Sequence, residues 1–125
     1  PTVLTGLGNR SLPAMTEIFG PVVTTIPFVD EEEAVSLAND TVFGLAGAVW
    51  TADVGRAHRM AAAVRAGTFW VNSYKAIHVS VPFGGSGQSG YGRSSGLDAL
   101  MEYTAPKAVW LDAAPVPRIA FGYTS

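Results

Sequence analysis

The chain has 125 residues, a formal net charge of -2, 48% hydrophobic and 14% charged residues, 14 glycines and no cysteine. That is at most one domain, with no basic footprint for nucleic acid or an anionic membrane and no apolar run near the ~20 residues that span a bilayer. The missing thiols exclude thiolate catalysis, thiolate zinc and iron–sulfur ligation within this stretch, and a positive mean hydropathy of +0.25 predicts apolar surface that expects a partner.

In chain order, Thr2-Val3-Leu4-Thr5 reads as a short strand, followed by a loop with Gly6, Gly8, Asn9 and Pro13. Val22 to Phe28 is β-branched and aromatic, and Pro27 confines it to a strand end or an edge. Asp30-Glu31-Glu32-Glu33 opens a helix, since Asp30 can cap free N–H groups and Glu33 completes a capping-box spacing. Val35, Leu37 and Ala38 give that helix an apolar side, and it ends near Asn39-Asp40. Leu45 to Trp50 is nearly all apolar and fits a strand covered on both faces. Asp53 caps a second helix with Val54, Ala57, Ala61 and Val64 on one side and Gly67 as its C′ stop.

Thr68 to Asn72 is a further apolar strand. A long irregular stretch, Tyr74 to Arg93, leads into a short helix capped by Ser94 or Ser95, with Leu97, Leu100 and Met101 as its stripe and Pro106 as its limit. Lys107 to Asp112 reads as a last strand, and Ala113 to Ser125 as an extended tail. The alternation predicts an α/β fold, a mostly parallel sheet with covering helices, over residues 1–112. In such sheets ligands sit beyond the carboxyl ends of the strands, which directs attention to Asn72 and the loop after it.

Several local patterns fail on context. Gly85, Gly87 and Gly90 match G-x-G-x-x-G, but no strand immediately precedes them and Gly92 falls where a helix should already run. A loop with close backbone approach is the better reading. Tyr103 and Lys107 have a Y-x-x-x-K spacing that Pro106 interrupts, and Ser86 and Ser89 never complete a nucleophile elbow. The two histidines, His58 and His78, lie twenty positions apart and suggest no metal cage. Glu17 stands apart from the helix-end carboxylates. In an extended Glu17-Ile18-Phe19 it would face the same side as an aromatic ring, a pairing suited to sugar hydroxyls beside a flat ring.

Glu17-Ile18-Phe19-Gly20-Pro21, Asn39-Asp40 with Phe43-Gly44-Leu45-Ala46, and Ala66-Gly67-Thr68 with Trp70-Val71-Asn72 form a series of blocks. Pro82-Phe83-Gly84-Gly85, Ser89-Gly90 and Gly92-Arg93 complete it. In this order and spacing, from about Thr2 to Asp112, they resemble the C-terminal part of the catalytic domain of an NAD(P)-dependent aldehyde dehydrogenase. That family oxidises an aldehyde to a carboxylic acid through a cysteine thiohemiacetal, hydride transfer to the nicotinamide, and hydrolysis of a thioester. The resemblance implies that Glu17 binds the nicotinamide ribose hydroxyls and that Phe19 packs by the nicotinamide end. It also implies that Phe83 lines the aldehyde pocket, that Tyr74 to Val81 shapes substrate choice, and that Lys107 to Leu111 lies near subunit contacts.

By the same resemblance the expected cofactor is NAD or NADP and the expected partners are a small-molecule aldehyde and further copies in a homo-oligomer; the short apolar runs, and a start that lacks a charged n-region and an h-region, predict a cytoplasmic compartment. No catalytic residue is assigned within the chain. The family's cysteine, general base, oxyanion-holding asparagine and nucleotide domain lie in segments preceding the matched one. The 125 residues alone are therefore expected to be inactive. Two alternatives stand beside this reading. One is a truncated noncatalytic module that associates with full-length subunits; the other is a freestanding dinucleotide binder using the Gly85 to Gly90 loop.

Overall fold

The computed structural model describes residues 1–113. The tail predicted from Ala113 onward lies, after its first residue, outside the described residues. The elements run β1 (Thr2–Leu4), α1 (Leu12–Met15), β2 (Val22–Thr24), α2 (Glu31–Asn39), β3 (Ala46–Val49), α3 (Val54–Ala63), β4 (Thr68–Val71) and α4 (Ala99–Glu102). Among the described residues both strand pairs are parallel: β1 with β2 from Thr2 opposite Val22, and β3 with β4 from Ala46 opposite Thr68. The expected sheet is thus two separate parallel pairs among the described residues.

The β3–α3–β4 segment is the best-defined unit, because α3 packs on both of its strands and α2 packs on α3. Capping explains where the two helices start. The Asp30 carboxylate accepts from the Glu33 N–H at 2.8 Å, and Glu33 in turn accepts from the Val29 N–H at 2.7 Å, one residue before the cap. Asp53 accepts from the Arg56 N–H at 3.1 Å. Between the helices, Glu31 accepts from Arg59 at 2.7 and 2.8 Å and from Arg56 at 3.3 Å.

These bonds hold the Glu31 and Asp53 carboxyls below the usual carboxylate range. The cause for Glu31 is first its hydrogen bond from Arg59, and for Asp53 first the Arg56 backbone N–H. A depressed carboxyl stabilises the fold above its unfolded value, and that contribution disappears as the pH falls through the folded value. Asp53→Ala is therefore expected to lower Tm at neutral pH, with the gap from the parent closing as acid protonates Asp53. Thermal melts of both proteins across the acidic range check this, and a gap that does not depend on pH contradicts it.

Two asparagine amides complete the unit by imitating strand backbone. Asn72 accepts from the Thr51 N–H and donates to the Thr51 carbonyl, both at 2.8 Å. Asn39 accepts from the Arg65 N–H at 2.7 Å and donates to the Ala63 carbonyl at 2.9 Å, where α3 ends. Asn9 and Arg10 tie the β1–α1 loop to Asp40 at the end of α2.

Four expectations change. α3 stops at Ala63 with Val64 as its cap, so Gly67 is not the C′ residue. The last helix loses its first turn because Ser95 and Gly96 take left-handed φ values of 64° and 63°, and it starts from Asp98 without a side-chain cap. Lys107 to Asp112 forms no strand, since no neighbouring strand pairs with it among the described residues. Finally, α1 falls where a loop was expected. Ser11 before Leu12-Pro13 is the pattern of a cap followed by a first-turn proline.

Among the described residues Ala57 is the sole buried apolar side chain, and Trp50, Leu97, Leu100, Val109, Trp110 and Leu111 are all exposed. A large apolar side chain left in water forgoes ~1.5–3 kcal/mol of burial. The apolar stripe of the last helix and the apolar body of residues 107–111 are patterned for contacts that these residues do not make with one another. Among the described residues no helix is long and apolar enough to cross a membrane, and no three His, Cys, Asp or Glu side chains cluster to hold a metal ion.

Candidate functional site

Gly44, which begins the chain's approach to β3, is the hub of the glycine-rich loop. Its carbonyl accepts from the Gly67 and Ser86 N–H groups, both at 3.0 Å, and from the Ser86 hydroxyl at 3.3 Å. Its N–H donates to the Ser89 hydroxyl at 3.1 Å. The loop then crosses the start of β4 so closely that a Cβ on Gly67 would overlap the Gly84 carbonyl, coming within 2.8 Å even of its carbon. Gly67 is needed for this crossing, which replaces the cap expected of it.

The loop is no phosphate cradle. The N–H groups of Ser86, Gln88, Ser89 and Gly90 all donate to backbone carbonyls, at 3.0, 2.9, 3.2 and 3.2 Å. A phosphate would have to displace those bonds, and α4 begins only at Ala99, too late to present its N-terminus. The freestanding dinucleotide reading loses its geometric basis here.

The three expected site residues stand at two places. Glu17 is exposed and lines a cavity of about 480 Å³ between the end of α1 and β3, alongside Phe43, Ala46, Met60 and Phe69. Most of those walls are apolar faces of neighbouring elements, which marks this space as an uncovered core face. Phe19 is 94% exposed and has φ +55°, a left-handed value that is rare for a bulky residue and places strain at this point. That φ also ends the extended run, so the alternation that would put Glu17 and Phe19 on one side does not apply. Phe83 lines a second cavity of about 440 Å³, with Tyr91, Arg93, Glu102 and Tyr103.

Among the described residues these two cavities do not bring Glu17, Phe19 and Phe83 together, but Leu45 and Ser89 line both spaces. The glycine-rich loop and the start of β3 are thus the partition between them. In the segment predicted to shape substrate choice, Trp70 donates its indole N–H to the Ala76 carbonyl at 2.8 Å and meets Tyr74 edge-on, with ring centroids 5.6 Å apart. Asn72, expected near the chemistry, spends its amide on Thr51 and is a structural pin. In the sequence Ser89 is weighed only as a nucleophile-elbow serine, and Arg93 has no role beyond its place in the Gly92-Arg93 block. Both lie inside the G-x-G-x-x-G stretch or just after it, where attention went to the glycines.

Comparison with known proteins places this geometry. Residues 1–109 match the aldehyde dehydrogenase family, and the chain belongs to that family. It is 46% identical over 116 residues to the betaine aldehyde dehydrogenase of Brucella anthropi, covering 93% of this chain and 24% of that protein. It superposes on the aldehyde dehydrogenase KauB from Pseudomonas aeruginosa with a TM-score of 0.82 at 50% identity, over 87% of this chain and 22% of that one. The indole-3-acetaldehyde dehydrogenase AldA of P. syringae, solved with NAD+ and IAA, gives the same TM-score and coverage at 47% identity. The chain spans about a quarter of the length of such relatives. Their fold over this stretch is the α/β arrangement described above, as a partial domain.

Proposed function

We propose that the chain is the C-terminal segment of an NAD(P)-dependent aldehyde dehydrogenase that oxidises a small-molecule aldehyde to its carboxylic acid, acting as a homo-oligomer in the cytoplasm. One observation carries the reading: the family match runs over residues 1–109, and that stretch contains no cysteine. A thiolate-dependent reaction then draws its nucleophile from elsewhere, and this segment supplies the surroundings.

The chemistry of two residues supports a role at the cofactor's nicotinamide end. Glu17 offers an exposed carboxylate, which accepts hydrogen bonds from a pair of ribose hydroxyls without needing a proton of its own. Phe19, held out by its left-handed backbone, offers a flat apolar face two residues away. When bound, NAD(P)+ supplies the hydride acceptor. Glu17 would hold the ribose hydroxyls, and Phe19, whose side chain is exposed two residues further on, would offer its ring to the nicotinamide end. Phe83 forms part of the aldehyde wall, and the Tyr74 to Val81 segment, stiffened by the Trp70–Ala76 bond, tunes which aldehydes enter.

The NAD+-bound relative supports NAD as a cofactor of this class, while the choice between NAD and NADP rests with contacts to the adenosine half. The exposed apolar side chains of α4 and residues 109–111 support close association with more protein, whether the rest of the same subunit or another copy. A noncatalytic module would show the same surface. Aldehyde-dependent NAD(P)H formation by the polypeptide that carries this segment separates the two.

In that polypeptide Phe83→Ala is expected to raise KM for the aldehyde about tenfold, the cost of a lost pocket contact, with KM for NAD(P)+ unchanged within about twofold. Steady-state kinetics with each substrate varied in turn check this. Equal effects on both constants, or none, remove Phe83 from the aldehyde wall.

A further inference from the structure

The loop from Phe83 to Ser94 is closed at its stem and held from within. At the stem, the Phe83 N–H donates to the Ser94 carbonyl at 2.7 Å and the Ser94 N–H returns to the Phe83 carbonyl at 2.8 Å. Inside, Arg93 Nη1 donates to the Gly85 carbonyl at 2.7 Å and the Gly92 carbonyl at 2.9 Å, with Tyr91 at 3.4 Å. The side chain lies across Gly84, where an added Cβ would come within 2.9 Å of Arg93 Cδ. The Arg93 N–H reaches the Glu102 carboxylate at 3.4 Å, which ties the same residue to α4.

A planar guanidinium with several N–H groups suits this task, because one side chain can satisfy carbonyls from both limbs of a loop and keep their separation fixed. All three bonds leave the one nitrogen Nη1, whose place the planar guanidinium sets; a lysine ammonium also carries three N–H donors, but on a more flexible stem, so it would hold the limbs less firmly. Gly85, whose carbonyl Arg93 takes, is buried and lies two residues from Phe83. The stem bonds fix the Phe83 backbone only if the limbs above them stay together.

The geometry points to Arg93 as the positioning residue of the aldehyde-side wall, acting through Gly85 and Gly92 to hold Phe83 in place. This rests on the reading of Phe83 given above. Because Arg93 touches the loop and not the Glu17 segment, its loss should bear on the aldehyde and spare the cofactor.

The test uses the full-length polypeptide that carries this segment, with Arg93→Ala, Arg93→Lys and Phe83→Ala assayed together. Arg93→Ala is expected to raise KM for the aldehyde about tenfold, the effect of losing charge-assisted hydrogen bonds, and to leave KM for NAD(P)+ within about twofold. Arg93→Lys should recover part of the loss, and millimolar guanidinium added to Arg93→Ala should recover more, which a general loss of folding would not allow. The inference is overturned if Arg93→Ala leaves aldehyde kinetics unchanged. It is equally overturned if every constant falls together and neither lysine nor guanidinium restores it. When Phe83→Ala shifts the aldehyde KM and Arg93→Ala does not, only the role of Arg93 fails. When Phe83→Ala has no effect, the aldehyde-wall reading fails and the role of Arg93 falls with it.

Discussion

Gly67→Ala is expected to abolish stable folding of the β3–α3–β4 unit with its glycine-rich loop. The new methyl group would overlap the Gly84 carbonyl and sit 3.2 Å from the Gly85 Cα, and both neighbours are backbone that no rotamer change can move aside. Ordinary overpacking costs ~1–3 kcal/mol where side chains can yield. Here the crossing itself must open, and with it the Gly67 N–H to Gly44 carbonyl bond and the neighbouring bond from Ser86. The expected loss therefore lies at or above the upper end of that range, on a chain whose described residues bury one apolar side chain. Gly8→Ala is the control, since a Cβ there meets nothing within 4 Å. Denaturant melts of the two variants check the contrast. Equal midpoints would mean that the loop does not cross β4 as described.

Glu17→Gln is expected to lower kcat/KM of the polypeptide that carries this segment about ten- to a hundredfold, the range set by losing a charged hydrogen-bond acceptor. The substitution keeps the side chain's size and leaves one carbonyl oxygen to accept, with an NH2 group turned toward one of the two hydroxyls. A ribose held by one bond can pivot, and small misplacements of a reacting ring are costly because the reaction depends on a near-attack distance. The loss should appear in kcat and in KM for NAD(P)+, with KM for the aldehyde little altered. This is the opposite pattern to that expected for Phe83→Ala. A variant with parental kinetics would take Glu17 out of the cofactor site.

The starts of α2 and α3 were legible in the sequence because their caps depend on neighbours three residues away. Asp30 with Glu33, and Asp53 with the Arg56 N–H, are local bonds, and both helices begin where the carboxylates predicted. The short strands were legible for a related reason, as β-branched or apolar runs bounded by turns, though their division into two pairs was not. Sheet partnership is set by which strands are near in space, and Lys107 to Asp112 shows the consequence. Its apolar run is strand-like, yet among the described residues no strand pairs with it and it forms no ladder.

Gly67 shows the limit from another side. A glycine after a helical pattern reads as a cap, and only the path of the loop at Gly84 and Gly85, later in the chain, reveals that its hydrogen is needed for a crossing. Arg93 was hidden in the same way, since a side chain that bonds three carbonyls leaves no periodic trace. For Glu17 and Phe19 the spacing suggested one shared side. The left-handed φ of Phe19 set that argument aside, and an aromatic residue carries no sequence signal for such a backbone.

The proposed function gives the exposed α4 stripe, the uncovered face beside Glu17 and the missing thiol a common origin, in a segment that forms one wall of a site whose nucleophile belongs to another part of the enzyme. The most direct measurement is aldehyde-dependent NAD(P)+ reduction, followed side by side for the purified 125-residue chain and for the polypeptide that joins it to a cysteine-bearing segment of the same family. Turnover is expected from the longer polypeptide and none above the blank from the chain alone. Sustained, aldehyde-dependent turnover by the 125 residues would contradict it.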